Sequence, residues 1–291
     1  MIKLATIVAF ILIGAALLTG GRVTPQYNAQ GGFFPRGLWS PLVAMTYAVY
    51  SFGGVEMVAV TSGESRSAKE TPRAVWLTFL TLTFVYVGAI IILLGVMPWN
   101  RAGVTESPFV TTFRTVKIPH ASGIMNFVVL SAALSGANAT LYVASRMLFS
   151  LARTGWAPPR LGHLNPEGSP QFAVLISSFG ILFALALVLW FPENAFRYLI
   201  GAAFTGMILS WLVSLAAHIN FRRRRTPAEL AALLLRSPLG RCGSIAGFVL
   251  VTIALLQTWL HPLVNLWSGL ACLAVLVLAY TVARRHRNSA P

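Results

Sequence analysis

Residues 50–56 read Tyr-Ser-Phe-Gly-Gly-Val-Glu, inside an apolar run that begins near Pro41 and fades after Val60. Glycine weakens a helix by about 1 kcal/mol relative to alanine, so the pair Gly53-Gly54 marks a weak point. In hydrocarbon, a broken helix is tolerated only where its freed backbone groups face protein or a water-filled cavity. Two half-helix ends then offer carbonyls on one side and N–H groups on the other. Those groups suit the ammonium and the carboxylate of a zwitterion. Gly53 and Gly54 are the candidate residues of such a break. Glu56 follows at membrane depth, where an ionisable side chain is a functional candidate by default. The plainer alternative is that the glycines let a neighbouring helix approach. Glu56 and the bulky Phe52 beside the pair weigh against it.

Other chemistry is sparse. Ser131, Ser135, Asn138, Tyr142 and Ser145 recur at spacings of three and four, which places them on one helical face. Small polar residues on one face ordinarily serve helix packing; a cavity-lining stripe is the sharper reading. Asn138 stands out, because an amide in hydrocarbon needs a partner. Lys3 lies at the start of an apolar run and reads either as a snorkelling anchor or as a functional charge. The histidines show no metal spacing, and Cys242 and Cys272 show no disulfide or metal pattern. There is no nucleophile elbow, phosphate-cradling loop or useful carboxylate pair, so no cofactor and no enzyme activity is expected.

The elements that must position these residues are membrane helices. The chain has 291 residues, 56% of them hydrophobic, with a mean hydropathy of +0.73. Only 10% are charged, against about 25% in soluble domains. Eight apolar runs are long enough to span a bilayer, near 2–19, 41–62, 74–97, 122–151, 172–191, 196–218, 244–260 and 263–283. The expected fold class is therefore an all-α integral membrane protein, with residues 1–291 as one membrane domain.

The net charge of +15 could suggest nucleic acid, but the basic residues flank the apolar runs instead. With the N-terminus in the cytoplasm, sixteen of the 22 Lys and Arg fall in inside segments. The positive-inside rule favours that orientation, with both termini cytoplasmic. Residues 222–241 form an inside linker and 284–291 a basic tail. Arg222–Arg225 are most simply a topology anchor, with anionic-lipid contact as a by-product. Thr226, Pro227 and Glu229 have the spacing of a helix cap.

The longer motifs resemble a known family. "YSFGGVEMVAVTSGESRSAKETPRAV" is similar to the sixth span and following loop of amino acid permeases of the amino acid–polyamine–organocation superfamily. "SPFVTTF" resembles the outer loop after their seventh span. "NFVVLSAALSGANATLYVASRMLFSLARTGWAPP" resembles the eighth span, and "IKLATIVAFILIG" the fifth. The likeness is nearest to the bacterial branch that takes up aromatic amino acids, proline or 4-aminobutyrate.

The resemblance implies a leucine-transporter fold of twelve spans, built from inverted repeats with broken spans one and six at the substrate site. It implies amino acid transport in the bacterial cytoplasmic membrane, usually coupled to protons. Ser51 to Gly54 would form the break of span six, with Phe52 part of a gate. Glu56 would be a functional charge below it. Lys3 would match a fifth-span lysine that replaces a sodium ion in some relatives, and Asn138 an asparagine found in several. The chain matches spans five to twelve, an incomplete version of that fold. The other break would lie in the first four spans, missing by truncation of the sequence or supplied by a separately encoded N-terminal portion, and the chain alone would be a partial or non-functional transporter. The other reading is an eight-span membrane binding or scaffold protein without transport.

Overall fold

The computed structural model of the chain describes residues 2–28, 34, 37–61, 67, 70–100, 110, 120–260 and 266–289. All regular structure among the described residues is helical. The helices are α1 (Ile2–Thr19), α2 (Ser40–Ser51), α3 (Met57–Thr61), α4 (Glu70–Val96), α5 (Ala121–Arg153), α6 (Gln171–Trp190), α7 (Ala195–Arg223), α8 (Pro227–Ala231), α9 (Gly240–Leu260) and α10 (Leu266–Ser289). Among the described residues a 3₁₀ turn, Pro159–Gly162, lies in the loop after α5.

Six of these helices are long and apolar enough to cross a membrane: α4, α5, α6, α7, α9 and α10. A residue adds about 1.5 Å along a helix, so their 20 or more residues match a hydrocarbon core of about 30 Å. Large apolar side chains point outward along them, as Phe183, Leu189, Val213 and Leu278 do. Such surfaces suit lipid. Eight spans are expected from the sequence. The remaining two expected spans are the 18-residue helix α1 and the run 41–62, which is divided between α2 and α3.

The contacts divide the chain into two units, residues 1–40 with 73–140, and residues 41–72 with 141–291. In the first, Phe10 of α1 and Ile92 of α4 are buried together with Val110. Ile11, Ile13, Leu18 and Leu93 pack around them.

In the second, α7 is the central element and packs against α9 and α10. Phe204, Ile208, Trp211 and Leu215 recur every three or four residues and so share one face of α7. Val251, Ala254 and Leu255 of α9 complete that core. Two fully buried hydroxyls, Thr205 and Thr258, donate to carbonyls of their own helices, Gly201 at 2.8 Å and Ala254 at 2.7 Å. They therefore sit in an apolar interface without an unmet polar group.

The approach of α10 to α7 is set by Gly269. A β-carbon there would stand 2.6 Å from Thr205 Oγ1 and 3.5 Å from Trp259 Nε1. Gly269→Val is expected to destabilise the second unit by about 1–3 kcal/mol through overpacking. Thermal unfolding in detergent measures this, and an unchanged midpoint would contradict the close packing.

The expected cap between α7 and α9 is present. Glu229 N donates to Thr226 Oγ1 at 3.3 Å, and Thr226 N donates to Glu229 Oε2 at 2.8 Å, with Pro227 at the first helical position. Arg225 Nη1 adds a contact to Glu229 Oε1 at 2.9 Å. The hydrogen bond from the Thr226 backbone, followed by those from the Arg225 and Thr226 side chains, lowers the Glu229 carboxyl below its ordinary range. Because the folded value is depressed, the cap is fully formed above the ordinary glutamate pKa and is lost as pH falls through the lowered one. In an NMR titration Glu229 should therefore titrate below free glutamate, and Thr226→Ala should move it back up. No difference between the two proteins would contradict the cap.

Candidate functional site

The helix α2 stops at Ser51, and residues 52–56 are in turns before α3 starts at Met57. Gly54 has φ of 99°, a backbone region that side chains with a β-carbon rarely adopt. The backbone pairing tightens through this segment. Gly53 N donates to Tyr50 O at 3.0 Å, Val55 N to Phe52 O at 3.3 Å, and Met57 N to Gly54 O at 3.0 Å. These are bonds across three residues rather than four, so the α-helical ladder is interrupted here.

The N–H of Gly54 takes a different partner. It donates to Glu56 Oε2 at 3.1 Å, and the same oxygen accepts from the indole N–H of Trp211 at 3.0 Å. The carboxylate thereby joins the turn to α7, across 155 residues of sequence. Both donors thereby find an acceptor in this half-buried place, as buried polar groups ordinarily do. Further contacts run alongside. The Tyr50 and Phe204 rings lie 5.0 Å apart, and a β-carbon on Gly53 would stand 2.6 Å from Met207 Sδ. The turn is thus held against one face of α7 by Phe204, Met207 and Trp211.

Tyr50, Ser51, Phe52, Gly53, Gly54 and Glu56 are brought together here, with Ser51 and Gly53 exposed and Phe52 half-buried. Asn138 and Lys3 belong to the first unit. Asn138 is exposed on α5, with no hydrogen-bond partner among the described residues. Lys3 is the second residue of α1, and its side chain lies outside the described residues. Along the polar stripe, Ser145 is buried and donates to the Tyr142 carbonyl of its own helix at 2.8 Å. Ser131 is half-buried, and Ser135 and Tyr142 are exposed.

Trp211 is the site residue that sequence reasoning missed. The signal available was an indole in the middle of a span, since a buried Trp N–H ordinarily finds a partner. No group of three or more potential metal ligands occurs among the described residues.

The family model for amino acid permeases matches residues 1–285. The chain belongs to the amino acid permease family. It is 31% identical to the amino-acid permease RocE of Bacillus subtilis (strain 168), over 99% of this chain and 65% of that protein. It is 33% identical to the gamma-aminobutyric acid permease of the same organism, over 81% of this chain and 52% of the relative. It is also 33% identical to the aromatic amino acid transport protein AroP of Escherichia coli (strain K12), over 77% of this chain and 50% of the relative. The chain thus spans 50 to 65% of the length of these permeases. Family membership and the six long apolar helices among the described residues together mark a multi-pass membrane protein.

Proposed function

We propose that the chain forms part of an amino acid transporter and supplies one of two helix breaks that enclose the substrate. The observation carrying this reading is the interruption between Ser51 and Met57, with Gly54 at φ of 99°, inside an apolar run of a family member. On this reading α2 and α3 are the halves of one discontinuous span, and with α1 they complete eight crossings. The excess of Lys and Arg in the inside segments supports cytoplasmic termini, and the bacterial relatives support a bacterial cytoplasmic membrane.

The hydrogen bonds favour one division of labour. The N–H groups of Gly54, Val55 and Met57 are already used within the turn. The C-terminal end of α2 carries the negative end of its helix dipole, which suits an ammonium. This break therefore holds the substrate ammonium, with Phe52 closing over it. The carboxylate falls to the second break, in the part of the relatives' length that this chain does not match. That part comes from the same polypeptide or from a companion chain. Asn138 lines the substrate path, and Glu56, with Lys3, couples uptake to protons.

Uptake of radiolabelled amino acids tests the reading, in cells supplying the chain together with that remaining part. Aromatic amino acids and 4-aminobutyrate come first, because relatives are named for them. Accumulation that a protonophore abolishes is expected. No uptake across the twenty amino acids and 4-aminobutyrate would overturn it.

A further inference from the structure

The segment between α7 and α9 is tied to the membrane at both ends. α7 ends at Arg223 and α9 begins at Gly240, and both are long enough to cross a bilayer. Their adjoining ends are held together. His218 Nδ1 lies 2.5 Å from Ser244 Oγ, and the Arg222 guanidinium lies against Gly240, 3.2 Å from where a β-carbon would sit. Residues 224–239 therefore stay close to the bilayer surface.

Leucines are left outward on this segment. Leu234 is 63% exposed, Leu235 40% and Leu239 73%. In water such a group would be an unexplained apolar patch. Arginines surround it: Arg223, Arg224, Arg225, Arg236 and Arg241 are all exposed. The one carboxylate in the segment, Glu229, is committed to Arg225 and the helix cap. Arg236 donates to the Ala231 carbonyl at the end of α8. Arg223, Arg224 and Arg241 have no ion-pair partner among the described residues.

We infer that residues 223–241 form an interfacial anchor, with Leu234, Leu235 and Leu239 in the bilayer boundary and Arg223, Arg224 and Arg241 on anionic phospholipid headgroups. A topology signal needs only the positive charge. Outward leucines between unpaired arginines match a surface that is apolar below and anionic above. The inference rests on membership of a membrane family and on this segment, and not on which substrate is carried.

The test uses the full chain with Cys242→Ala, Cys272→Ala and Leu234→Cys, labelled with bimane. It is reconstituted in vesicles of equal phosphatidylglycerol and phosphatidylcholine, with a spin-label quencher on one lipid or the other. The expected result is quenching by both lipids, several-fold stronger from labelled phosphatidylglycerol. An arginine near an anionic surface contributes about fivefold to such a preference. Arg223→Gln with Arg224→Gln should therefore remove most of it while the probe stays quenched. Absence of quenching by either lipid would overturn the inference, placing the leucines in water or under a protein partner. Equal quenching by the two lipids in the chain with native arginines would also overturn it, as would a preference that survives the double substitution. Leu235→Cys is a second probe position, should Leu234→Cys fail to insert.

Discussion

Uptake should be abolished by Gly54→Leu, with little change in the amount of protein inserted in the membrane. The cause is conformational. A β-carbon on Gly54 meets only Met57 Cε, at 4.0 Å, so there is room for a side chain. What is lacking is the angle. At φ of 99° a residue with a β-carbon is strained, at a cost of about 1–3 kcal/mol. The chain escapes that strain by rebuilding the turn, which moves the Gly54 N–H away from Glu56 and removes the helix end from the substrate. Gly54→Ala should show most of the same loss, which separates strain from bulk. Insertion follows summed hydropathy and should hardly respond to one residue. Normal uptake by both variants would remove the break from the transport mechanism. Gly53 makes a contrasting control. A side chain there meets Met207 Sδ at 2.6 Å and the Tyr50 carbonyl at 3.2 Å, so Gly53→Ala needs a flexible side chain to move and the turn to give slightly, without the positive φ that strains Gly54→Ala.

The second large effect is expected at Glu56. Replacing it with leucine leaves the Gly54 N–H and the Trp211 indole N–H without their acceptor. Each unmet donor costs about 1–3 kcal/mol when buried, and half-burial favours the lower part of that range. Glu56→Leu should thus lower the unfolding midpoint clearly. Glu56→Gln keeps an acceptor oxygen and should keep most of the stability. Trp211→Phe removes one of the two donors and should be intermediate. In a double-mutant cycle, Glu56→Leu with Trp211→Phe should cost less than the sum of the single changes. Additive losses would show that the two side chains do not interact.

The same pair of variants separates the clasp from proton coupling. Glu56→Gln holds the turn but carries no titratable group. If the carboxylate couples transport to protons, this variant should take up substrate with a flattened pH profile. An unchanged profile would leave Glu56 a positioning residue only and pass the coupling role to Lys3.

How far these features were legible differs from residue to residue. Gly53-Gly54 beside Glu56 announced a weak point, because helix propensity and intramembrane charge are local properties of residue type. The capping box at Thr226 was legible for the same reason: its partners lie three residues apart. The partner of Glu56 was not, since Trp211 is 155 residues away and only the packing of the turn on α7 selects it. Nor could the residues tell that Gly54, rather than Gly53, takes the positive φ, while Gly53 makes the close approach to Met207. The polar stripe on α5 was legible as a face but not in its use. Ser145 turns its hydroxyl to its own helix, and a hydroxyl satisfied in that way gives no pattern in the sequence. Eight spans were legible from hydropathy alone; six of them are helices long and apolar enough to cross, while α1 has 18 residues and the run 41–62 is divided between α2 and α3, a division that summed hydropathy does not register.

The most direct test asks whether substrate occupies the turn. Ser51 is exposed at the end of α2, next to the interruption. In a transporter with Cys242 and Cys272 replaced by alanine, Ser51→Cys can be alkylated by a small thiol reagent and the rate followed with and without amino acid. A transported amino acid should slow the reaction several-fold, while a non-transported one should leave it unchanged. A rate that no amino acid alters, in a variant that still transports, would contradict the assignment of residues 51–54 to the substrate site.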